Sequence, residues 1–171
     1  MKNIALTGMM GSGKSAIGKE LQSFLPKFEY FEMDELIVKK MGISINEIFE
    51  KYGEPYFRTL ETDLIKSFAL KNNSIISMGG GAFLSEENRK LFKQNSITVY
   101  LKTSDNVLYE RLKGDKTRPL LKADNLKSKI SDLLKQREEK YKMADYTITT
   151  DNKGIQEITQ EILEIYKENG H

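Results

Sequence analysis

Residues 8 to 15 read Gly-Met-Met-Gly-Ser-Gly-Lys-Ser, which fits G-x-x-x-x-G-K-[ST], the spacing that wraps a backbone around the phosphates of a nucleoside triphosphate. Glycines at 8, 11 and 13 let the main chain approach phosphate oxygens closely. Successive N–H groups and the positive end of a following helix supply donors to the anion. Lys14 adds a full charge near the β and γ phosphates, and the Ser15 hydroxyl is placed to ligate Mg²⁺. The apolar run Asn3-Ile4-Ala5-Leu6-Thr7 before the loop reads as a strand. Ile17, Leu21 and Leu25 after it share one face of a helix. The motif therefore sits in the strand–loop–helix context that its chemistry needs.

Other residues could complete a phosphoryl-transfer site. Glu32 and Asp34 close the second strand-like run, and strand alternation would send both to one side. One acid could hold Mg²⁺ through water while the other takes a hydroxyl proton; alternatively, Asp34 simply caps the helix that follows. Gly79-Gly80-Gly81 follows the third strand directly, with no acid at the strand end. Three glycines can turn the chain, or they can expose N–H groups to a substrate that side chains would block. Glu61 stands one helical turn from Arg58 and can orient its guanidinium. Arg137, with Tyr141 a turn further, carries a fork shaped to grip a carboxylate, although either arginine could equally be a solvated surface residue. Arg118-Pro119 lies in a polar segment from 113 to 124, read as a lid whose arginine reaches transferring phosphate charge. Arg111, at the base of that lid, could stack on a nucleobase. Asp151-Asn152-Lys153-Gly154 fits D-x-x-G by its letters but lies after the last strand, and no guanine-specifying Asn-Lys-x-Asp occurs.

Elements to position these groups follow from periodicity. Strands are predicted at Asn3–Thr7, Glu29–Phe31, Ser74–Met78, Ile97–Leu101 and Tyr146–Thr149. Helical patterns fall between them, near 14–24, 34–42, 45–52, 55–71, 86–94, 105–112, 125–143 and 155–168. Such alternation predicts an α/β fold with a parallel sheet covered on both faces. Ser44-Ile45-Asn46-Glu47 is a capping box, and Pro55 suits the first turn of the next helix. The stretch from 33 to 61 reads as a helical insertion on this sheet.

Length and composition bound the reading. A chain of 171 residues, 39% hydrophobic and 30% charged, suits one domain. The net charge of +2, from 27 basic and 25 acidic residues, gives no basic footprint for nucleic acid. The absence of cysteine excludes disulfides and thiolate metal sites. With no apolar run near ~18 residues and the phosphate loop close to the first residue, the expectation is a cytoplasmic protein with no leader and no membrane partner.

Taken in order, these pieces resemble the shikimate kinase family. Its pattern of G-x-M-G-x-G-K-[ST], D-x-D, Arg-x-x-Glu, triple glycine, lid R-P-L and R-x-x-x-Y is matched at Gly8–Ser15, Glu32-Met33-Asp34, Arg58–Glu61, Gly79–Gly81, Arg118-Pro119-Leu120 and Arg137–Tyr141. The resemblance implies a P-loop NTPase fold of the nucleoside-monophosphate-kinase type, with a five-stranded parallel sheet, a substrate-binding region at 33–61 and a lid at 113–124. It implies a monomer that uses Mg²⁺ and ATP to phosphorylate the 3-hydroxyl of shikimate, on the route to chorismate and aromatic amino acids. Gly11, Ser12, Gly13, Lys14, Ser15 and Ala16 would bind ATP, with Arg111 on adenine and Arg118 on the phosphates. Asp34 would bind the ring hydroxyls and act as base. Arg58 and Arg137 would hold the substrate carboxylate, Glu61 would orient Arg58, and Gly79, Gly80 and Gly81 would line the ring. One position departs from the pattern: the first acid of D-x-D is Glu32, whose extra methylene shifts the carboxylate by ~1.5 Å. A water-mediated contact to Mg²⁺ absorbs such a shift more readily than a direct one.

Overall fold

The computed structural model describes residues 2–114 and 125–170. Five strands, β1 (Asn3–Thr7), β2 (Glu29–Glu32), β3 (Ser74–Ser77), β4 (Ser96–Lys102) and β5 (Tyr146–Thr149), form one sheet in the order β2-β3-β1-β4-β5. All four pairings are parallel, so every crossover carries a helix over a face of the sheet. The helices are α1 (Lys14–Phe24), α2 (Met33–Met41), α3 (Ile45–Phe68), α4 (Glu86–Asn95), α5 (Asp105–Leu112), α6 (Leu126–Tyr141) and α7 (Ile155–Asn169).

The side-chain period of two divides β1 and β4 between two cores. Ile4, Leu6, Ile97, Val99 and Leu101 face one way and pack with Ile17 and Leu21 of α1 and Ile158, Ile162 and Tyr166 of α7. Ala5 and Tyr100 face the other, joining Ile65 and Phe68 of α3, Phe92 of α4, and Leu133 and Tyr141 of α6. A third, smaller cluster of Ile37, Ile48, Phe57 and Leu60 binds α2 to α3 away from the sheet. The segment read as an insertion thus carries apolar contacts of its own.

Two local features explain its shape. Ser44 and Glu47 form the reciprocal capping box at the start of α3, with the Ser44 hydroxyl accepting from the Glu47 amide and the Glu47 carboxylate accepting from the Ser44 amide. Gly53 then breaks α3 with φ 81° and ψ 166°, a conformation reserved almost entirely for glycine. The two helices expected at 45–52 and 55–71 are therefore the two arms of one bent element, and Pro55 opens the second arm without costing a ladder bond.

Candidate active site

β1 lies between β3 and β4, so the order of the sheet reverses at its carboxyl end, the crevice where open parallel sheets hold ligands. The phosphate loop leaves β1 at that point. Gly8 has φ 141°, and a Cβ there would fall 2.8 Å from the Leu101 carbonyl, so only glycine fits. Lys14 is 8% exposed, and its ammonium donates to the carbonyls of Gly8 and Met9 at 2.9 Å each, which draws it over its own loop. The N-cap residue of α1 is Gly13, which has no side chain to cap the helix. Its N-terminus opens on a cavity of about 540 Å³ whose walls include Gly11, Ser12, Gly13, Lys14, Ser15 and Ala16. Arg111, in the last turn of α5, donates to the Gly11 carbonyl at 2.9 Å and forms part of the same wall.

Glu32 and Asp34 both line this cavity, but strand alternation is not the reason. β2 ends at Glu32, and Asp34 already lies in the first turn of α2, which begins at Met33. The side chain of Glu32, the N-cap residue of α2, makes no capping bond. Instead Glu32 accepts from the Tyr30 hydroxyl at 2.6 Å and from the Ser77 hydroxyl at 3.0 Å. Burial, and then the Glu32 carboxylate, push the Tyr30 hydroxyl above its ordinary range, so it remains a donor at neutral pH.

A second, smaller cavity of about 40 Å³ adjoins the first and is lined by Ile45, Phe49, Phe57, Arg58, Glu61, Arg137 and the three glycines, with Met10, Asp34 and Gly80 shared between the two. The glycines are the surface against which the charged groups converge. A Cβ on Gly79 would lie 2.5 Å from Glu61 Oε1 and 3.0 Å from Asp34 Oδ1, and one on Gly81 would collide with the Arg58 guanidinium. The Gly80 carbonyl accepts from Arg137 at 3.4 Å and from the Tyr141 hydroxyl. Tyr141 is held by stacking on Tyr100, with centroids 5.2 Å apart. Arg58 is clamped from two sides: Nη1 donates to Glu61 at 2.6 Å, while Nε and Nη2 donate to Glu54 at 3.3 and 2.7 Å.

Glu61 is wholly buried, and its Oε1 has no hydrogen-bond partner among the described residues. Burial raises its carboxyl to about 7, against the opposing pull of Arg58 and, more weakly, Arg137; Asp34 adds to the rise. The sign of the stability effect follows. A carboxyl raised on folding contributes stability that is fully present below the unfolded value near 4.5 and is lost as pH climbs through about 7. Wild type should therefore lose stability relative to Glu61→Gln between pH 5 and 8. Urea midpoints measured for both proteins across that range check this, and parallel curves would show that Glu61 does not titrate there.

Sequence reasoning missed several wall residues. Thr150, Lys153, Ile155 and Ile158 border the larger cavity at the carboxyl end of β5 and the start of α7. Lys153 is also paired with Glu161 at 2.6 Å. The rule that ligands gather at strand ends, applied to β5, would have found them. Glu54 gave no signal beyond its spacing of four from Arg58. Arg118 and the segment read as a lid, beyond Gly114, lie outside the described residues.

The parallel sheet and phosphate loop define a P-loop kinase-like protein of the nucleoside-monophosphate-kinase type. Comparison with known proteins narrows this. The family model for shikimate kinase matches residues 10–167, and the chain belongs to that family. It is 42% identical over 167 residues to a shikimate kinase of Geobacter sulfurreducens, covering 98% of this chain and 92% of that one. The structure of the Acinetobacter baumannii shikimate kinase in complex with shikimate superposes with a TM-score of 0.94 at 38% identity, covering 99% of this chain and 94% of the other. A gluconokinase from Sinorhizobium meliloti shares the fold alone, with a TM-score of 0.60 at 17% identity, over 98% of this chain and 97% of that one.

Proposed function

We propose that this protein transfers the γ-phosphoryl group of ATP to the 3-hydroxyl of shikimate, and that the two adjoining cavities are its donor and acceptor sites. The observation that carries the reading is the shared wall: Asp34 lines both cavities, where an acceptor hydroxyl and a γ-phosphate would meet. Family membership supplies the acceptor, a carboxylated ring, and Arg58 and Arg137 supply cations to receive it.

Phosphoryl transfer asks a protein for positioning and charge stabilisation more than for covalent chemistry. Lys14 and the amides of the loop would neutralise the β and γ phosphates. Asp34 would orient the hydroxyl in line and take its proton. Arg58, held by Glu54 and Glu61, and Arg137, held by Gly80, would fix the carboxylate and so the ring. A hydroxyl at Ser15 and a carboxylate at Glu32 on one cavity wall are hard oxygen donors that suit Mg²⁺, which completes its shell with phosphates and water. When bound, that ion would offset charge on the β and γ phosphates. We read 33–61 as the substrate-binding region, because Asp34, Ile45, Phe49, Phe57, Arg58 and Glu61 from it line the acceptor cavity.

The decisive assay is ADP release from Mg²⁺-ATP with shikimate, with gluconate, and with neither. Release that depends on shikimate alone confirms the reading. No release from protein that still binds ATP would leave the fold standing and remove the substrate. Within that assay, Arg137→Ala should raise the KM for shikimate by about 10–100-fold, the worth of one charge-assisted contact, with a smaller change in kcat. An unchanged KM would mean that the carboxylate binds elsewhere.

A further inference from the structure

Glu32 is bonded through both carboxylate oxygens, and neither partner is a cation: Tyr30 holds Oε2 at 2.6 Å and Ser77 holds Oε1 at 3.0 Å. Tyr30 and Glu32 are two apart on β2, so their side chains leave the strand on the same face. The ring of Tyr30 lies against α1 where that helix carries Gly18, and a Cβ at Gly18 would collide with it. The hydroxyls of Ser77 and Ser15 lie close enough to act on the Tyr30 hydroxyl. A chain of contacts thus runs from the space at Gly18, through the Tyr30 ring and hydroxyl, to the Glu32 carboxylate on the cavity wall beside Ser15.

A glutamate has one more rotatable bond than an aspartate, and an unanchored side chain spreads its carboxylate over several rotamers. Two fixed hydroxyl donors remove that freedom. Each carboxylate oxygen keeps a further lone pair after accepting one bond, enough to accept from a water on a hydrated cation. Contact through such a water leaves both existing bonds in place.

We propose that Tyr30 is a positioning residue for Glu32: it folds the longer acid back so that its carboxylate meets the cation beside Ser15 through water. The proposal rests on reading the larger cavity as the Mg²⁺-ATP site. It makes Tyr30 and Glu32 a matched pair, in which the phenol makes the extra methylene tolerable.

The test measures Mn²⁺ binding to the protein–ADP complex by electron paramagnetic resonance, together with ADP affinity in the absence of metal. Wild type, Y30F, E32D and the double variant are compared, and melting of the metal-free proteins checks the fold. Y30F should weaken Mn²⁺ binding about tenfold, as losing an outer-shell partner does, while metal-free ADP affinity stays at the wild-type value. An aspartate at 32 falls ~1.5 Å short of the phenol, so adding Y30F to E32D should change nothing further. G18A, which pushes the ring aside without removing its hydroxyl, should weaken Mn²⁺ in the same direction; it carries the test if Y30F melts abnormally. Equal Mn²⁺ affinity in wild type and Y30F overturns the proposal, as does a loss on Y30F that is undiminished in the E32D background. Failure of wild type to bind Mn²⁺ with ADP removes the cation site itself, and the proposal with it.

Discussion

Replacing Lys14 with methionine is expected to lower kcat by at least about 10³-fold while leaving ADP affinity within about tenfold of wild type. Methionine keeps the length and apolar stem of the side chain and removes only the ammonium. That ammonium is held against the loop by the carbonyls of Gly8 and Met9, so its position is set before any nucleotide arrives. A preorganised charge costs no reorganisation when the γ-phosphate begins to leave, and in a partly buried site it is weakly screened. Ground-state binding is different. The loop amides and the amino end of α1, whose N-cap residue is Gly13, remain in the variant and continue to hold the diphosphate. Calorimetry with ADP and steady-state rates with shikimate separate the two effects. A variant that keeps a tenth of the wild-type kcat would show that the loop, not the lysine, stabilises the transferring charge. Arginine should not rescue it, because a planar fork cannot occupy the place of a compact ammonium.

The loop was legible because its chemistry is local: eight consecutive residues, a strand before them and a helix after. The five strands were equally plain, since each is an apolar run between helical patterns. What the sequence hid are contacts made across the sheet. Glu32 and Asp34 were placed on one wall for the wrong reason; they meet there because the chain turns from β2 into α2 between them. The three glycines left two readings open until the structure set Glu61, Asp34 and Arg58 against them. Tyr30 had no motif to announce it, and its value depends on Gly18 on another element and Ser77 on a neighbouring strand. Lys153 was passed over because D-x-x-G was set aside for lying after the last strand, whereas that same position beyond β5 puts it on the cavity wall. Local chemistry reads from spacing. Convergence of separate elements does not, and here the family pattern supplied what spacing lacked.

Asp34→Asn should lower kcat by about 10²–10⁴-fold, the range of a positioned general base, with a much smaller rise in the KM for shikimate. The amide keeps the shape of the carboxylate and can still accept a hydrogen bond from a ring hydroxyl, so orientation largely survives. It cannot take the proton. The position of Asp34 on the shared wall makes this the sharpest division between the donor and acceptor halves of the site. A competing role exists, since Asp34 also lies in the first turn of α2, where a negative charge favours the helix dipole. That role predicts a different pattern: a stability loss of about 0.3–1 kcal/mol, a modest fall in rate, and no selective effect on proton transfer. Melting curves and the split between kcat and KM distinguish them. If Asp34 is the base, kcat should fall by at least about 10²-fold in a variant that melts close to wild type. If the variant loses only a few-fold in rate along with that stability, Asp34 serves the helix, and the proton must leave through another group or directly to the transferred phosphate.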